Sequence, residues 1–327
     1  MRLNKNIKIF LNYFLGPILF CWLSWSVYRQ ITRQPNLEAH LMEIRQAITG
    51  AEAWKLFLII FLMFVNWGLE TRKWQLLLRH LHRISFGEAF KAILSGLAFA
   101  LNTPNRIGEY GGRVLFIPDG KRVRAVSLTL AGSFSQLLVT LILGGTGLFF
   151  LSDKITASTA FSSLQVWITA LQVLVFFIAL VGCIIYFRLG WLVKVIEKIP
   201  GAQTYVRHIT VIKEMNVTIL LNVMLLSLLR FLVFIIQYNL MLQLMQVEMG
   251  WWSGFWTVSV LFLLLATLPT IALLELGLRW EYSIMLFGLF SGNILGIYAA
   301  ATGIWLINLV LPAMAGSLFI LGIRIIK

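Results

Sequence analysis

Long apolar runs constrain this chain more than any other feature of its sequence. Several reach about 20 residues or more, the length that an α-helix needs to cross the roughly 30 Å hydrocarbon core of a bilayer. Membrane-spanning β-strands would instead give alternating segments of about 10 residues. The runs therefore predict an all-α polytopic membrane protein with about six full transmembrane helices, at residues 9–28, 55–78, 125–151, 164–187, 217–245 and 294–323.

The charge content also favours a membrane protein. Charged residues make up 12% of the 327 residues, about half of the roughly 25% that is typical of soluble proteins. The formal net charge is +14, but the charges lie between the apolar runs. We therefore attribute them to topology and to attraction to anionic lipids rather than to nucleic-acid binding. No stretch is both long and polar enough for a soluble domain, so residues 1–327 are predicted to form one membrane domain.

Two further apolar stretches, residues 86–117 and 252–290, do not have the pattern of simple crossings. Each is interrupted by a proline, Pro104 or Pro269, which removes a backbone donor and disfavours helix just before it. Irregular backbone is tolerated at membrane depth only inside protein or along a water-filled cavity. We therefore predict two re-entrant helical hairpins. With these hairpins, the basic short loops lie on the side of both termini, which the positive-inside rule assigns to the cytoplasm.

The two interrupted stretches share the motif Glu-x-Gly-x-Arg after their proline. The copies consist of Glu109, Gly111 and Arg113, and of Glu275, Gly277 and Arg279. Three predicted crossings separate them, and each copy precedes a long crossing. The halves, roughly residues 55–187 and 217–327, are therefore predicted to be inverted repeats, an arrangement found in many transporters.

Charged side chains at membrane depth are costly, about 2.5–3.5 kcal/mol each on insertion scales, and are usually functional. Glu and Arg four residues apart share a helix face and can pair, while arginine binds phosphate through two parallel hydrogen bonds. The predicted lipid headgroup-binding residues are Arg106, Arg113, Arg230 and Arg279, with Glu109 and Glu275 as supporting charge partners and Pro104, Gly108, Gly111, Pro269 and Gly277 as helix-break or hinge residues. A purely structural role, in which the charged pairs lock helix ends, remains an alternative.

Arg230 lies deep inside a predicted crossing and needs a buried partner, for which Glu109 and Glu275 are the candidates. Glu70 lies near Arg72 and Lys73 at the end of another crossing and is predicted to form an interfacial salt bridge instead. Tryptophans near the ends of crossings predict an aromatic belt at the membrane surfaces. These are Trp22, Trp25, Trp54, Trp67, Trp74, Trp251 and Trp252.

No catalytic or cofactor motif is recognisable. All four histidines lie in predicted loops, and the zinc-protease, α/β-hydrolase and Walker A patterns are missing. We therefore expect no cofactor, no metal and no enzymatic activity. Two alternatives remain open: an intramembrane enzyme that acts on a lipid-linked substrate, and a non-transporting membrane partner of a lipid-modifying enzyme.

The segment Leu-Asn-Thr-Pro-Asn-Arg-Ile-Gly-Glu at 101–109, followed by Arg113, resembles the Pro-x-Arg-x-Gly-Glu…Arg signature of the lysylphosphatidylglycerol synthase transmembrane-region family. That family comprises the N-terminal flippase domain of the bacterial multiple peptide resistance factor and stand-alone flippase-like membrane proteins. The segment at 268–277 is similar to the family's second motif, with Ile-Ala-Leu-Leu at 271–274 in place of its usual Pro-Gly-Gly character.

The resemblance covers essentially the whole chain and implies a lipid-translocating role in the bacterial cytoplasmic (inner) membrane. Since the sequence ends at Lys327 without an aminoacyl-transferase domain, synthase activity is not expected. The predicted function is that of a flippase or transporter for a phosphate-bearing lipid, for which aminoacylated and polyprenyl-linked headgroups are both open. Membrane lipids are the expected partners, and a separate lipid-modifying enzyme is a further possible partner; nucleic acid is not expected.

Overall fold

The computed structural model describes Trp25, Gly50 and residues 52–101, 103, 106–157, 165–197, 210–267 and 272–321. The side chains of residues 192, 194, 196, 214, 272–275 and 321 are outside this description. Three predicted features therefore lie outside the described residues: the crossing at 9–28, both motif prolines (Pro104 and Pro269) and the side chain of Glu275. The described ranges contain helices and turns and no strand, which confirms the all-α architecture.

The helices, in chain order, are α1 (Ala53–Leu78), α2 (Phe86–Ala100), α3 (Gly108–Val114), α4 (Arg122–Ala157), α5 (Gln165–Phe187), α6 (Leu189–Ile196), α7 (Val217–Leu244), α8 (Trp251–Thr267), α9 (Ala272–Phe287), α10 (Ile294–Trp305) and α11 (Leu311–Leu321). A π-helical turn, Leu306–Val310, joins α10 to α11 into one long element. Five described segments are long and apolar enough to cross a membrane. They occupy the positions of five of the six predicted crossings.

The first predicted interruption is present, because the described residues between α2 and α3 are not α-helical, whereas residues 268–271 of the second lie outside the description. The first interrupted pair consists of α2 and α3, and the second of α8 and α9. At 1.5 Å per residue, α2 and α8 are about 22 and 25 Å long, which is shorter than the roughly 30 Å apolar core. A capping box starts α2, because the Ser85 side chain accepts from the Glu88 backbone N–H while the Glu88 carboxylate accepts from Ser85. The second helices of the two pairs differ in length, since α3 has 7 residues and α9 has 16.

The interrupted pairs are packed reciprocally. Helix α2 packs against α11, which follows the second pair, and α8 packs against α4, which follows the first pair; α1 and α7, which precede the pairs, pack against each other. Glycines allow both close contacts. A Cβ at Gly316 of α11 would lie 1.8 Å from the Leu94 carbonyl oxygen, and one at Gly144 of α4 would lie 2.6 Å from the Leu263 Cβ. Helix α2 of the first half is thus held by the second half of the chain, and helix α8 of the second half is held by the first.

Of the seven tryptophans predicted to form the belt, Trp22 lies outside the described residues, and the other six divide into two groups. Trp25, Trp54, Trp251 and Trp252 are exposed, as an aromatic belt requires. Trp67 and Trp74 are buried, so the belt prediction is wrong for these two. The reason is that α1 packs along α7, which places the C-terminal half of α1 inside the protein rather than at a membrane surface.

Candidate functional site

A cavity of about 540 Å³ lies among α1, α4, α7, α8, α9 and α10, beside the turn that precedes α3. Its size is within the range of about 300–1,000 Å³ that is usual for small-molecule sites. Three of the four predicted headgroup-binding residues, Arg106, Arg230 and Arg279, line it. They belong to the turn before α3, to α7 and to α9, so the fold brings together arginines that are far apart in the sequence.

The aromatic rings of Trp67, Phe231, Phe234, Phe262 and Trp305 form much of the remaining wall. Buried side-chain polar atoms normally have a hydrogen-bond partner. The indole nitrogens of Trp67 and Trp305 are buried and have no such partner among the described residues. The cavity therefore combines cationic groups with apolar rings.

Arg106 reaches the cavity from an unusual backbone conformation. Its φ is 56°, in the left-handed region that costs a non-glycine residue about 1 kcal/mol or more. The Arg106 N–H donates to the Thr103 carbonyl at 3.2 Å, and the Thr103 hydroxyl accepts from the Gly108 N–H at 2.7 Å. A Cβ at Gly108 would lie 2.5 Å from the Phe99 carbonyl oxygen. Gly108 is therefore required by the close return of the chain onto the end of α2.

Glu70 is the centre of a buried ion cluster behind the cavity. One of its carboxylate oxygens lies 2.7 Å from Lys73 Nζ and 2.8 Å from Arg230 Nη1. The other accepts a hydrogen bond from Arg113 Nη2 at 2.9 Å. Because Glu70 is only 3% exposed, the prediction of an interfacial salt bridge is wrong in location, although its pairing with Lys73 is confirmed. The contact between α1 and α7 places this part of α1 inside the protein.

Arg113 belongs to this cluster and is not among the residues that line the cavity. It is 3% exposed and pairs with both Glu70 and Glu109. The predicted pairing of Glu109 with Arg113 within one helix face is thus confirmed. The prediction of Glu109 as the partner of Arg230 is wrong, because Arg230 pairs with Glu70.

Arg230 is held at the cavity wall from several sides. Its Nε donates to Asn66 Oδ1 at 2.8 Å and its Nη1 to Glu70 Oε2 at 2.8 Å. Its guanidinium lies 5.1 Å from the ring centroid of Trp67 and 5.6 Å from that of Phe234, within cation–π range. Charge-assisted hydrogen bonds are the stronger ones in proteins. The Arg230 side chain therefore has a fixed orientation.

Arg279 is the arginine of the second motif copy and is 8% exposed. Its guanidinium lies near the Tyr238 hydroxyl of α7. That hydroxyl also lies 3.0 Å from the Ser283 Oγ. Arg279 therefore lines the cavity beside a buried tyrosine of α7.

The π-helical turn Leu306–Val310 places Asn308 at the cavity. Pro312 lacks the N–H that would bond to the Asn308 carbonyl in an α-helix, and the Leu311 N–H bonds instead to the Leu306 carbonyl, five residues earlier. Such turns are frequent at functional sites. Sequence reasoning missed Asn308, and Pro312 was the signal that could have located it.

The motif glycines differ in their roles. Gly111 and Gly277 lie inside α3 and α9, with open space where a Cβ would be, so the prediction that they break helices is wrong. Gly112 and Gly96 make the close contact instead, because a Cβ at Gly112 would lie 2.6 Å from the Gly96 Cα. The backbones of α2 and α3 approach each other at this point.

Within the described ranges, no group of three or more His, Cys, Asp or Glu side chains could hold a metal ion. No curated protein matches this chain. A family model described as the lysylphosphatidylglycerol synthase TM region matches residues 38–208, just over half of the chain. The match contains the first interrupted pair, including Arg106, Glu109 and Arg113, and ends before the second motif. The chain therefore belongs to the lysylphosphatidylglycerol synthase TM-region family, whose model describes a membrane-embedded, lipid-related region.

Proposed function

We propose that this protein moves a phosphate-bearing lipid between the leaflets of the bacterial cytoplasmic membrane. The observation that carries the proposal is the meeting of Arg106, Arg230 and Arg279 at one cavity inside a membrane-spanning bundle. Arginines at membrane depth are expensive and mark substrate paths by default. Their planar donor groups can bind a phosphate through two parallel hydrogen bonds.

The walls of the cavity suit the rest of such a lipid. Phe231, Phe234 and Phe262 form an apolar surface that fits the first segments of a hydrocarbon chain. The aromatic rings of Trp67 and Trp305 extend this apolar surface. A headgroup bound here would exchange hydration for charge-assisted hydrogen bonds.

Inverted repeats with two re-entrant hairpins are part of the proposal. The reciprocal packing of α2 on α11 and of α8 on α4 is the arrangement expected from a pseudo-twofold axis in the membrane plane. Counted from the first residues of their helices, Asn66 of α1 and Arg230 of α7 occupy the same position. Gln136 of α4 and Asn308 also match when counted from the starts of α4 and α10. Asn66 contacts Arg230 directly, and the other two line the cavity.

Both termini are proposed to be cytoplasmic. Gly120→Cys and Gly292→Cys test this orientation in a background without Cys21 and Cys183, because a Cβ at either glycine meets nothing within 4 Å. A membrane-impermeant thiol reagent added to intact cells should label position 292 and leave position 120 unlabelled until the membrane is opened. The reverse pattern, or labelling of both, contradicts the hairpin topology.

The proposed activity is transport without chemical conversion. The sequence has no nucleotide-binding motif, so the driving force would be the lipid gradient, an ion gradient or the membrane potential. A separate lipid-modifying enzyme is proposed as a functional partner that supplies or consumes the lipid. Chemical conversion of the lipid by the pure protein would instead favour an intramembrane enzyme.

The test is leaflet redistribution of labelled phosphatidylglycerol in proteoliposomes that contain the pure protein. Arg279→Gln and Arg230→Gln should each slow redistribution by about tenfold or more, because each removes a charged donor from the cavity. Arg124→Gln is the matched control, since Arg124 is exposed and lies outside the cavity lining. Redistribution that is the same in all three variants as in the unaltered protein contradicts the assigned site.

A further inference from the structure

A groove lies on the surface of the protein where α5 ends and α6 begins. Its volume is about 610 Å³, and it is lined by Cys183, Ile184, Phe187, Arg188 and Trp191. None of these residues lines the cavity that contains Arg230 and Arg279. The groove is therefore separate from the candidate transport site.

The α5 side of the groove follows one helix face. Cys183 and Phe187 are four residues apart, and so are Ile184 and Arg188, so these side chains succeed one another along the helix. Cys183 and Phe187 pack against a buried cluster around Tyr186, and Ile184 is 55% exposed. An apolar strip thus leads along a membrane-spanning helix to an arginine at its end.

Helix α6 forms the other side of the groove. Val193 is 3% exposed and Trp191 is 60% exposed, so one face of α6 is turned into the protein and Trp191 is turned outward. Glu197, the C-cap residue of α6, forms an ion pair with Lys213 of the 3₁₀ turn Thr210–Glu214, which holds the end of α6. Exposed tryptophans at the ends of crossings are typical of the headgroup level of a membrane.

Arg188 is the cation of the groove. Its side chain is exposed and forms no ion pair or side-chain hydrogen bond with the part of the chain that the structure describes. The groove lining contains no carboxylate among the described residues. The first carboxylate that follows in the sequence, Glu197, is already paired with Lys213. The Arg188 guanidinium is therefore available to an anionic group, and it can bind a phosphate through two parallel hydrogen bonds.

We infer that this groove binds an anionic phospholipid of the surrounding membrane. Arg188 binds the phosphate, Trp191 lies beside the headgroup, and an acyl chain follows the apolar strip from Phe187 to Cys183. A zwitterionic phospholipid fits the same strip but carries an ammonium, which Arg188 repels. A small phosphate ester without acyl chains makes only the contact with Arg188. The groove therefore selects lipids by the net charge of the headgroup.

Cys183 can report occupancy of the groove, because it belongs to the lining. In a Cys21→Ser background it is the one remaining cysteine of the chain. The experiment measures how fast a maleimide alkylates it in the pure, full-length protein in detergent micelles. Phosphatidylglycerol should slow alkylation at an about threefold lower concentration than phosphatidylcholine with the same acyl chains, which is the effect of one partly exposed ion pair. Glycerol 3-phosphate should give no protection at these concentrations.

Variants of Arg188 test the source of the preference. Arg188→Gln should remove the difference between the two lipids, and Arg188→Lys should retain part of it. Arg124→Gln, at an exposed arginine outside the groove, should leave it unchanged. Equal protection by both lipids, no protection by either, or a preference that survives Arg188→Gln overturns the inference. Protection by glycerol 3-phosphate at the same concentration overturns its lipid part.

The groove is also tested independently of transport. Arg279→Gln should slow lipid redistribution in proteoliposomes and leave the protection of Cys183 unchanged. Loss of protection in Arg279→Gln would contradict a separate site. Conversely, Arg188→Gln removes the contribution of the groove to lipid binding, so displacement of a fluorescent phosphatidylglycerol from this variant measures the affinity of the cavity.

Discussion

The two interrupted pairs contain the same Glu-x-Gly-x-Arg pattern, but their arginines have different environments. Arg113 is enclosed by Glu70 and Glu109 and is absent from the cavity lining. Arg279 lines the cavity and contacts Tyr238. The difference comes from the preceding helices, because the position of Glu70 in α1 corresponds to that of Phe234 in α7 when both are counted from the helix start. Arg113 of the first copy therefore meets the carboxylate of Glu70. The corresponding position in α7 holds the aromatic residue Phe234.

This comparison teaches that a repeated motif sets where a charge lies, while its neighbours decide what the charge can do. The first half uses its arginine to close a buried ion cluster that joins α1, α3 and α7. The second half leaves its arginine at the cavity. An exact repeat would have put two closed clusters in the membrane and left less cationic surface for a ligand.

The largest expected effect is that of Glu70→Ala on stability. Removing this carboxylate leaves Lys73, Arg113 and Arg230 without their shared counterion, and breaking a buried ion pair typically costs about 3–5 kcal/mol. The free energy of unfolding in detergent, followed by circular dichroism against denaturant, measures the loss. Glu248→Ala, at an exposed carboxylate, should have little effect.

Glu70→Gln keeps the shape and some hydrogen bonds of the side chain, so it serves as a second variant if Glu70→Ala does not fold. It should fold and should unfold at a lower denaturant concentration than the unaltered protein. If Glu70→Gln is as stable as the unaltered protein, the cluster does not hold the first half together and the comparison fails.

Arg113→Ala and Arg279→Ala should separate stability from transport. Arg113→Ala should lower the free energy of unfolding by about 1–3 kcal/mol, because it leaves Glu109 and one oxygen of Glu70 with fewer partners. Arg279→Ala should lower it less while slowing lipid redistribution by about tenfold. The test measures the free energy of unfolding and the rate of lipid redistribution in proteoliposomes for both variants. Identical losses in both assays would mean that the two arginines have equivalent roles.

Phe234→Glu should make the second half resemble the first. A carboxylate at this position would lie beside Arg230, whose guanidinium already faces the ring, and would neutralise part of the arginine charge at the cavity. Phosphatidylglycerol binding should weaken by about tenfold, or about 1.4 kcal/mol. Phe234→Leu controls for loss of the ring and should have a smaller effect. Unchanged affinity in Phe234→Glu would show that net charge at the cavity does not govern binding.

Much of the fold could be predicted because its signals are local. Apolar runs located the described crossings, and Pro104 marked the first interruption within a few residues. The pairing of Glu109 with Arg113 also followed from their spacing on one helix face. Each of these predictions depends on residues that are close together in the sequence.

The partners of Arg230 could not be predicted in this way. Glu70 and Arg230 are 160 residues apart, and only the packing of α1 on α7 brings them together. Glu70 and Trp67 lie near the end of an apolar run, where sequence patterns indicate a membrane surface. Hydropathy reports the depth of a residue along a helix, but it does not report which neighbour covers that residue.

The smallest expected effect concerns Pro312, and it tests the remaining difference between the halves at the cavity. Gln136 projects from the continuous helix α4, whereas Asn308, its counterpart by position, projects from a π-helical turn. Pro312→Ala restores a backbone donor for the Asn308 carbonyl and should allow the turn to become α-helical. Asn308 would then rotate away from Asn66, whose Nδ2 lies 3.5 Å from its Oδ1.

Pro312→Ala should therefore slow lipid redistribution by a few fold, on the order of 1 kcal/mol or less in the barrier. Its thermal unfolding should be unchanged or shifted upward, because a helix interior favours alanine over proline. Pro118→Ala is the matched control, at an exposed proline outside the cavity lining. If Pro312→Ala transports lipid at the rate of this control, the π-helical turn is a packing feature of α10 and α11, and the difference between the halves at the cavity reduces to the Glu70 and Phe234 positions alone.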